Sequence, residues 1–258
     1  MQLYLAATPD RLESARHYIC RMAHVAYRVG EDGHLHGAPL PTALQGGLMV
    51  LGETADSRFD APDNLCREIL RNCLRRCFSG IVLDFPLSPD STRLDFAQRL
   101  ERWTLQYHRR LYAPESYAPH LSKSHVLLCT AITHGRLQQR LEEAAAQYTP
   151  QRLALDLQRL AMDFPLPAPN GQGTPLSPAA LARRCRGQNI FFSDDLCAHY
   201  FTQQLGGHPH FVLFDDAQTL RRKLALARQL AIGEAFVMLP EVEDLLGELF
   251  EKKKEGEL

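Results

Sequence analysis

Phe78-Ser79-Gly80-Ile81-Val82-Leu83-Asp84-Phe85-Pro86 is the stretch on which the fold turns. Its apolar centre is short and bounded by turn residues, which reads as a buried strand. The strand delivers one carboxylate, Asp84, to its C-terminal end. Val82, Leu83 and Phe85 flank that carboxylate with apolar groups, so it is predicted to be partly enclosed. An enclosed carboxylate is hydrogen-bonded or shifts its pKa, and such groups mark functional sites. Just past it stands Pro86, which has no proton to give, at the place where a catalytic acid would be sought.

Outward from this strand, short apolar runs alternate with helical patterns along nearly the whole chain. Before it lie strands at Leu3–Ala7, His24–Val29 and Gly47–Leu51. Thr8-Pro9-Asp10 opens a helix carried by Leu12, Ala15, Tyr18, Ile19 and Met22, with Thr8 as N-cap and Pro9 in the first turn. Gly30-Glu31-Asp32-Gly33 reads as a turn, and Asn64–Arg76 as a helix. After it, the pattern predicts a helix over Asp95–Leu111, a fifth strand at His125–Ile132 and a helix over Gly135–Gln147. A sixth strand is expected in the second half of Leu153–Met162. Pro165–Pro178, rich in Pro and Gly, is expected as a loop, and Ser177-Pro178 opens a helix to Arg184. Asn189–Phe192 is a seventh strand, His210–Phe214 a strand or lead-in, Ala217–Leu230 an amphipathic helix and Ala235–Leu239 the last strand.

Near-continuous apolar strands separated by helical crossovers imply a parallel sheet covered by helices. The chain has 258 residues, of which 45% are hydrophobic, enough for one barrel-sized core. The fold class expected is therefore α/β, a single (β/α)8 TIM-type barrel over 1–250, followed by a charged tail at 251–258. An open dinucleotide-binding sheet would want a glycine fingerprint after an early strand. Gly46-Gly47 instead precedes its strand.

The formal net charge is −1, so nothing in the balance points to nucleic acid. No apolar run reaches the length of a membrane span. The start Met1-Gln2-Leu3-Tyr4-Leu5 does not resemble a secretory signal. With seven cysteines, an odd number, the expectation is a reducing, cytoplasmic setting. Cys66, Cys73 and Cys77 have helical spacing and read as small buried residues on one face. No metal and no cofactor is expected: C-x-x-C and H-E-x-x-H are absent, and His34-x-His36 and His208-x-His210 read as loop histidines. No G-x-S-x-G marks a serine nucleophile, and nothing indicates an activated thiolate.

In a (β/α)8 barrel, functional side chains gather at the C-terminal ends of the strands. Acids stand there: Glu53 after the third strand, Asp84 after the fourth, Asp163 after the sixth and Glu241 after the eighth. Asp194-Asp195 and Asp215-Asp216 follow later strands, and the second pair precedes a helix whose N-terminus it suits.

The order of these segments resembles the family 18 glycoside hydrolases, the chitinase-like barrels, especially those associated with bacterial spore walls. His24–Gly33 is similar to a second strand that ends in an aromatic residue and a D-G turn, and Gly47–Gly52 to the third. Phe78–Pro86 sits where the family carries F-D-G-[hydrophobic]-D-[hydrophobic]-D-[WF]-E. Asp95–Tyr112 with His125–Ile132 matches the helix and strand that follow. Leu160–Phe164 resembles the sixth strand with its M-x-Y-D ending. Phe214-Asp215-Asp216-Ala217-Gln218-Thr219-Leu220-Arg221-Arg222-Lys223 resembles the closing Y-D-[DN]-x-x-S-[hydrophobic]-x-x-K helix, and Gly233–Leu239 the last strand.

The departures from that pattern fall on the chemistry. Ser79 replaces the first acid of the fourth-strand motif and Val82 the second; Asp84 retains the third, and Pro86 replaces the acid/base glutamate. The resemblance implies substrate-assisted cleavage, in which the substrate's N-acetyl oxygen attacks and the glutamate protonates the leaving oxygen. General-acid catalysis contributes roughly 10²–10⁴-fold, so its loss implies impaired or absent hydrolysis. No tyrosine precedes Asp163. Val237-Met238-Leu239-Pro240 replaces the tryptophan platform, and the one tryptophan, Trp103, falls on an outer helix.

Three readings stay open. The first is a degenerate chitinase-like barrel that binds an N-acetylglucosamine-type glycan or a partner at its C-terminal face. The second is an active hydrolase in which Glu53 or Glu241 acts with Asp84, and the third a non-enzymatic scaffold or assembly protein. The expected catalytic residues are Asp84 and Asp163. The expected ligand-binding set is Tyr27, Glu53, Asp84, Phe85, Asp163 and Met238. Oligomeric state is left open.

Overall fold

The computed structural model describes residues 1–15, 17–41, 44–86, 88–168 and 171–253. Eight parallel strands form a closed ring: β1 (Gln2–Ala7), β2 (Arg21–Val29), β4 (Leu48–Gly52), β5 (Gly80–Asp84), β6 (Arg110–Pro114), β7 (His125–Cys129), β8 (Leu153–Asp156) and β14 (Glu234–Met238). β1 pairs with both β2 and β14, which closes the barrel and leaves the ring no open edge. β3 (Leu35–Gly37) folds back antiparallel on β2.

Strand side chains alternate between the barrel interior and the helix-covered outside. The interior holds Tyr4, Ala6, Ala23, Val50, Val82, Tyr112, Ala154 and Phe236. The outer sides of the strands pack in two clusters against α2 (Pro62–Arg75), α3 (Ser91–Gln106), α4 (Leu137–Tyr148) and α6 (Ala217–Gln229). Because both faces are buried, the strands read as continuous apolar runs. Trp103 lies on α3, packed on the outer core and stacked with Tyr107 at 6.2 Å. Cys66 and Cys73 are buried on α2, where burial pushes their thiols up to about 12 and about 11. Cys77 lies beyond the helix and is exposed, contrary to the one-face expectation.

A second sheet is inserted between β8 and α6. Its strands are β9 (Ala161–Pro165), β10 (Thr174–Pro175), β11 (Phe191–Ser193), β12 (Ala198–Leu205) and β13 (His208–Phe214), antiparallel in the order β10-β9-β13-β12-β11. α5 (Pro178–Cys185) covers one face, with Leu181 packed among Phe201, Val212 and Phe214. The closing-helix motif joins this sheet to the barrel. Asp215 and Lys223, both fully buried, pair at 2.7 Å. Lys223 Nζ also donates to the Thr130 carbonyl just past β7, at 3.3 Å. The Asp215 carboxylate further accepts from Leu160 N at 2.9 Å and Thr219 Oγ1 at 2.8 Å. Asp216 and Thr219 form a capping box at the start of α6.

Several element expectations are corrected. The helix expected from Leu12 to Met22 ends at Ala15 as the short α1 (Leu12–Ala15), and Met22 belongs to β2. α3 stops at Gln106, and His108, at φ 52°, turns the chain directly into β6. That strand was hidden because a left-handed histidine gives none of the glycine signal expected of such a turn. The strand expected in the second half of Leu153–Met162 is in the first half, as β8. The segments read as the Leu160–Phe164 sixth strand, the Asn189–Phe192 seventh and the His210–Phe214 lead-in all lie in the inserted sheet. Residues Pro165–Pro178, read as a loop, include β10. The start of the charged tail is held to the barrel. Glu251 and Lys253 exchange backbone hydrogen bonds with Ile19 and His17, and residues 254–258 of the expected tail lie outside the described residues. α7 (Leu239–Val242) and α8 (Leu246–Leu249) complete the described chain.

Candidate functional site

At the C-terminal ends of the barrel strands lies a cavity of about 280 Å³. Its floor is apolar, made by Ala6, Val50, Val82, Leu127 and Phe236, with Met238 on the wall. Its polar side chains are Asp84, Asp156, Gln158 and Glu241. Strand phase puts Asp84 and Asp156 there, while Gln158 follows β8 and Glu241 lies on α7. Val82 points inward, so Asp84 two residues on does too; Ala154 and Asp156 repeat the relation on β8.

The three carboxylates share one electrostatic environment. Asp84 is open to solvent in the cavity, yet the walls enclose it on most sides and push its carboxyl above the usual range. Among the described residues no group hydrogen-bonds it. Asp156 is pushed up to about 6, first by burial and further by the neighbouring Glu241 and Asp84 charges, against a hydrogen bond from Gln158 Nε2 at 2.8 Å. Burial also raises Glu241; the backbone N–H of Arg159, 3.0 Å from its carboxylate, and the Arg159 charge oppose that. The Arg159 guanidinium is occupied elsewhere, by Asp244 at 2.5 Å and the Glu241 carbonyl at 2.9 Å. Among the described residues no Lys, Arg or His lines the cavity. A carboxyl titrating near 6 beside two further acids is the arrangement by which proteins hold a proton for transfer near neutral pH.

Of the residues singled out from sequence, Asp84, Met238 and Glu241 meet in this cavity. The other four do not line it. Tyr27 is corrected by a bulge: the register of β2 on β4 shifts between Val25 and Tyr27, turning the ring outward against Phe78. Glu53 follows the inward Gly52 out of phase. Its side chain is fully buried and accepts from Arg93 Nε at 2.6 Å. Phe85 follows Asp84 out of phase and packs on Phe59, Phe96 and Tyr117. Asp163 lies in the inserted sheet, buried between Arg184 Nη2 at 2.6 Å and His210 Nδ1 at 2.8 Å.

Sequence reasoning missed Asp156 and Gln158. A signal existed: Leu153-Ala154-Leu155-Asp156 repeats the form of Ile81-Val82-Leu83-Asp84, an apolar run closed by aspartate. Among the described residues no group of three His, Cys, Asp or Glu is arranged to hold a metal ion, and no helix is long and apolar enough to cross a membrane.

No protein-family model matches the chain, and no curated protein sequence matches it. Solved structures do. The spore cortex-lytic enzyme SleL of Bacillus megaterium QM B1551 superposes with a TM-score of 0.69 at 16% identity, over 98% of this chain and 75% of that one. A chitinase from Chromobacterium violaceum ATCC 12472 gives 0.67 at 14% identity, over 92% and 93%. A GH18 chitinase variant from Cycas revoluta, solved in complex with (GlcNAc)4, gives 0.66 at 13% identity, over 95% and 96%. The closed ring of eight parallel strands is thus the fold of the family 18 chitinase-like barrels.

Proposed function

We propose that this protein is a chitinase-like barrel that binds an N-acetylglucosamine-type glycan at the C-terminal mouth without hydrolysing it by the family's route. The observation that carries this reading is the state of the fourth strand. Asp84 faces the cavity, but Val82, one inward position below it, is part of the apolar floor, and Pro86 supplies no acid. The mouth keeps a cavity while the acid/base glutamate and a second acid of the family's motif are replaced. The chitinase and SleL neighbours support glycan as the ligand class.

A second reading, hydrolysis with a relocated acid, draws on Asp156, whose pKa of about 6 suits a general acid. Its proton would pass to the glycosidic oxygen as the C1–O bond breaks. Asp84 or Glu241, ionised, would take a proton from the attacking water. One experiment separates the two. Incubation with (GlcNAc)4 is expected to release no new reducing ends while calorimetry detects binding. Turnover that disappears in both Asp84→Asn and Asp156→Asn overturns the first reading in favour of the second.

A further inference from the structure

Resting on that glycan-binding reading, we propose that the mouth selects a hexosamine unit whose amino group is free and protonated, in preference to the N-acetylated form.

The argument is a balance of donors, acceptors and charge. Asp84, Asp156 and Glu241 supply carboxylate oxygens to one cavity, and Gln158 supplies the single side-chain amide. The Gln158 NH₂ is already directed at Asp156, 2.8 Å away. An acetamido group brings one N–H donor and one carbonyl acceptor. Its carbonyl would meet carboxylate oxygens, with only the second N–H of Gln158 left among the described side-chain donors of the lining to receive it, and would leave the negative charge uncompensated. An ammonium brings three donors, no acceptor and one positive charge. It fills the acceptors of Asp84, which no described residue hydrogen-bonds, and offsets the Glu241 and Asp84 charges that add to burial in raising Asp156. Charge-assisted hydrogen bonds of this kind are the stronger ones.

The rest of the cavity suits a sugar ring better than a bare cation. Phe236, Val50, Val82 and Leu127 present an apolar floor beneath the acids. A ring can lay its C–H face on that floor while its amino group points up to the carboxylates. At about 280 Å³ the space falls just under the roughly 300–1,000 Å³ of pockets for drug-sized ligands. It is room for one ring within the cavity. Nor is the acidity a general property of the barrel interior, because the acid at the opposite end, Glu234, is neutralised within the protein by Arg110.

The test is titration calorimetry of the whole protein, in physiological salt at neutral pH, with three probes: the fully de-N-acetylated glucosamine tetramer, (GlcNAc)4 and spermidine. The glucosamine tetramer is expected to bind roughly tenfold or more tightly than (GlcNAc)4, and more tightly than spermidine. The Asp84→Asn, Asp156→Asn double variant is expected to lose that preference. Where the double variant does not fold, Asp84→Asn alone, at a solvent-open position, is expected to reduce it. Equal or tighter binding of (GlcNAc)4 overturns this inference and leaves the glycan-binding reading standing. Spermidine binding as tightly as the tetramer reduces the site to a general cation trap and overturns it. So does a preference unchanged in the variants. Binding of neither sugar overturns the inference and the glycan-binding reading together.

Discussion

The two ends of the barrel interior treat an acid in opposite ways. At the N-terminal end Glu234 pairs with Arg110 and accepts from Tyr112 Oη at 2.7 Å, while Arg110 Nη2 donates to Tyr4 Oη at 2.9 Å. Tyr4 stacks on Phe236 at 4.9 Å and Tyr112 on His125 at 4.7 Å, so rings close the space around the pair. At the C-terminal end Asp84, Asp156 and Glu241 face a cavity whose described lining contains no cation. Inward phase on strands of one ring places Glu234 and Arg110 at one end and Asp84 and Asp156 at the other. An acid that finds its cation and its donors inside the protein becomes part of the core. One left without them keeps its capacity to bind or to hold a proton.

The contrast can be tested by stability. The largest effect is expected at Asp156. Its folded-state pKa of about 6 stands above the ordinary 3.8, so the folded protein holds this proton more tightly than the unfolded chain. The site therefore costs no stability below about pH 4, and stability falls as pH rises through 6. At about 1.4 kcal/mol per pH unit, Asp156→Asn is expected to stabilise the protein by up to about 3 kcal/mol at pH 8 and to change little at pH 4. Urea unfolding at the two pH values reads this, and equal effects at both would show that the fold does not raise the Asp156 pKa.

At the opposite end the sign reverses. Arg110→Met leaves Glu234 without its cation and is expected to destabilise by about 2 kcal/mol at pH 7. This lies below the range for fully buried pairs because Arg110 is partly exposed. A neutral result would mean that this end of the interior is held by its rings alone. The smallest effect is expected from Tyr112→Phe, which removes one hydrogen bond to a charged group while keeping the ring packing, a loss of about 1.5 kcal/mol. Thermal melts resolve it, and a loss as large as that of Arg110→Met would show the hydroxyl to matter as much as the ion pair.

The architecture was legible because it rests on local periodicity. Apolar runs such as Gly47–Leu51 and Gly80–Phe85 read as strands without reference to anything distant, and α2 and α6 carry their own amphipathic faces. β6 was not legible, since a histidine in a left-handed conformation made the turn into it. The inserted sheet was not legible either. Its strands follow β8 with the same apolar character as barrel strands, and nothing local tells an antiparallel partner from a parallel one.

At the site the division is sharper. Sequence alone determined that this chain makes a ring of parallel strands, that Asp84 closes one of them, and that Pro86 follows where an acid would serve. Tertiary structure decided which acids meet. A bulge turned Tyr27 outward, a one-residue phase difference sent Glu53 to Arg93, and the inserted sheet carried Asp163 away to Arg184 and His210. Asp156 and Glu241, 85 residues apart in the chain, came to share a cavity with Asp84. The physical reason is that strand formation depends on neighbours within a few residues. The company a carboxylate keeps, and so its charge and its use, depends on strand phase and closure of the whole ring.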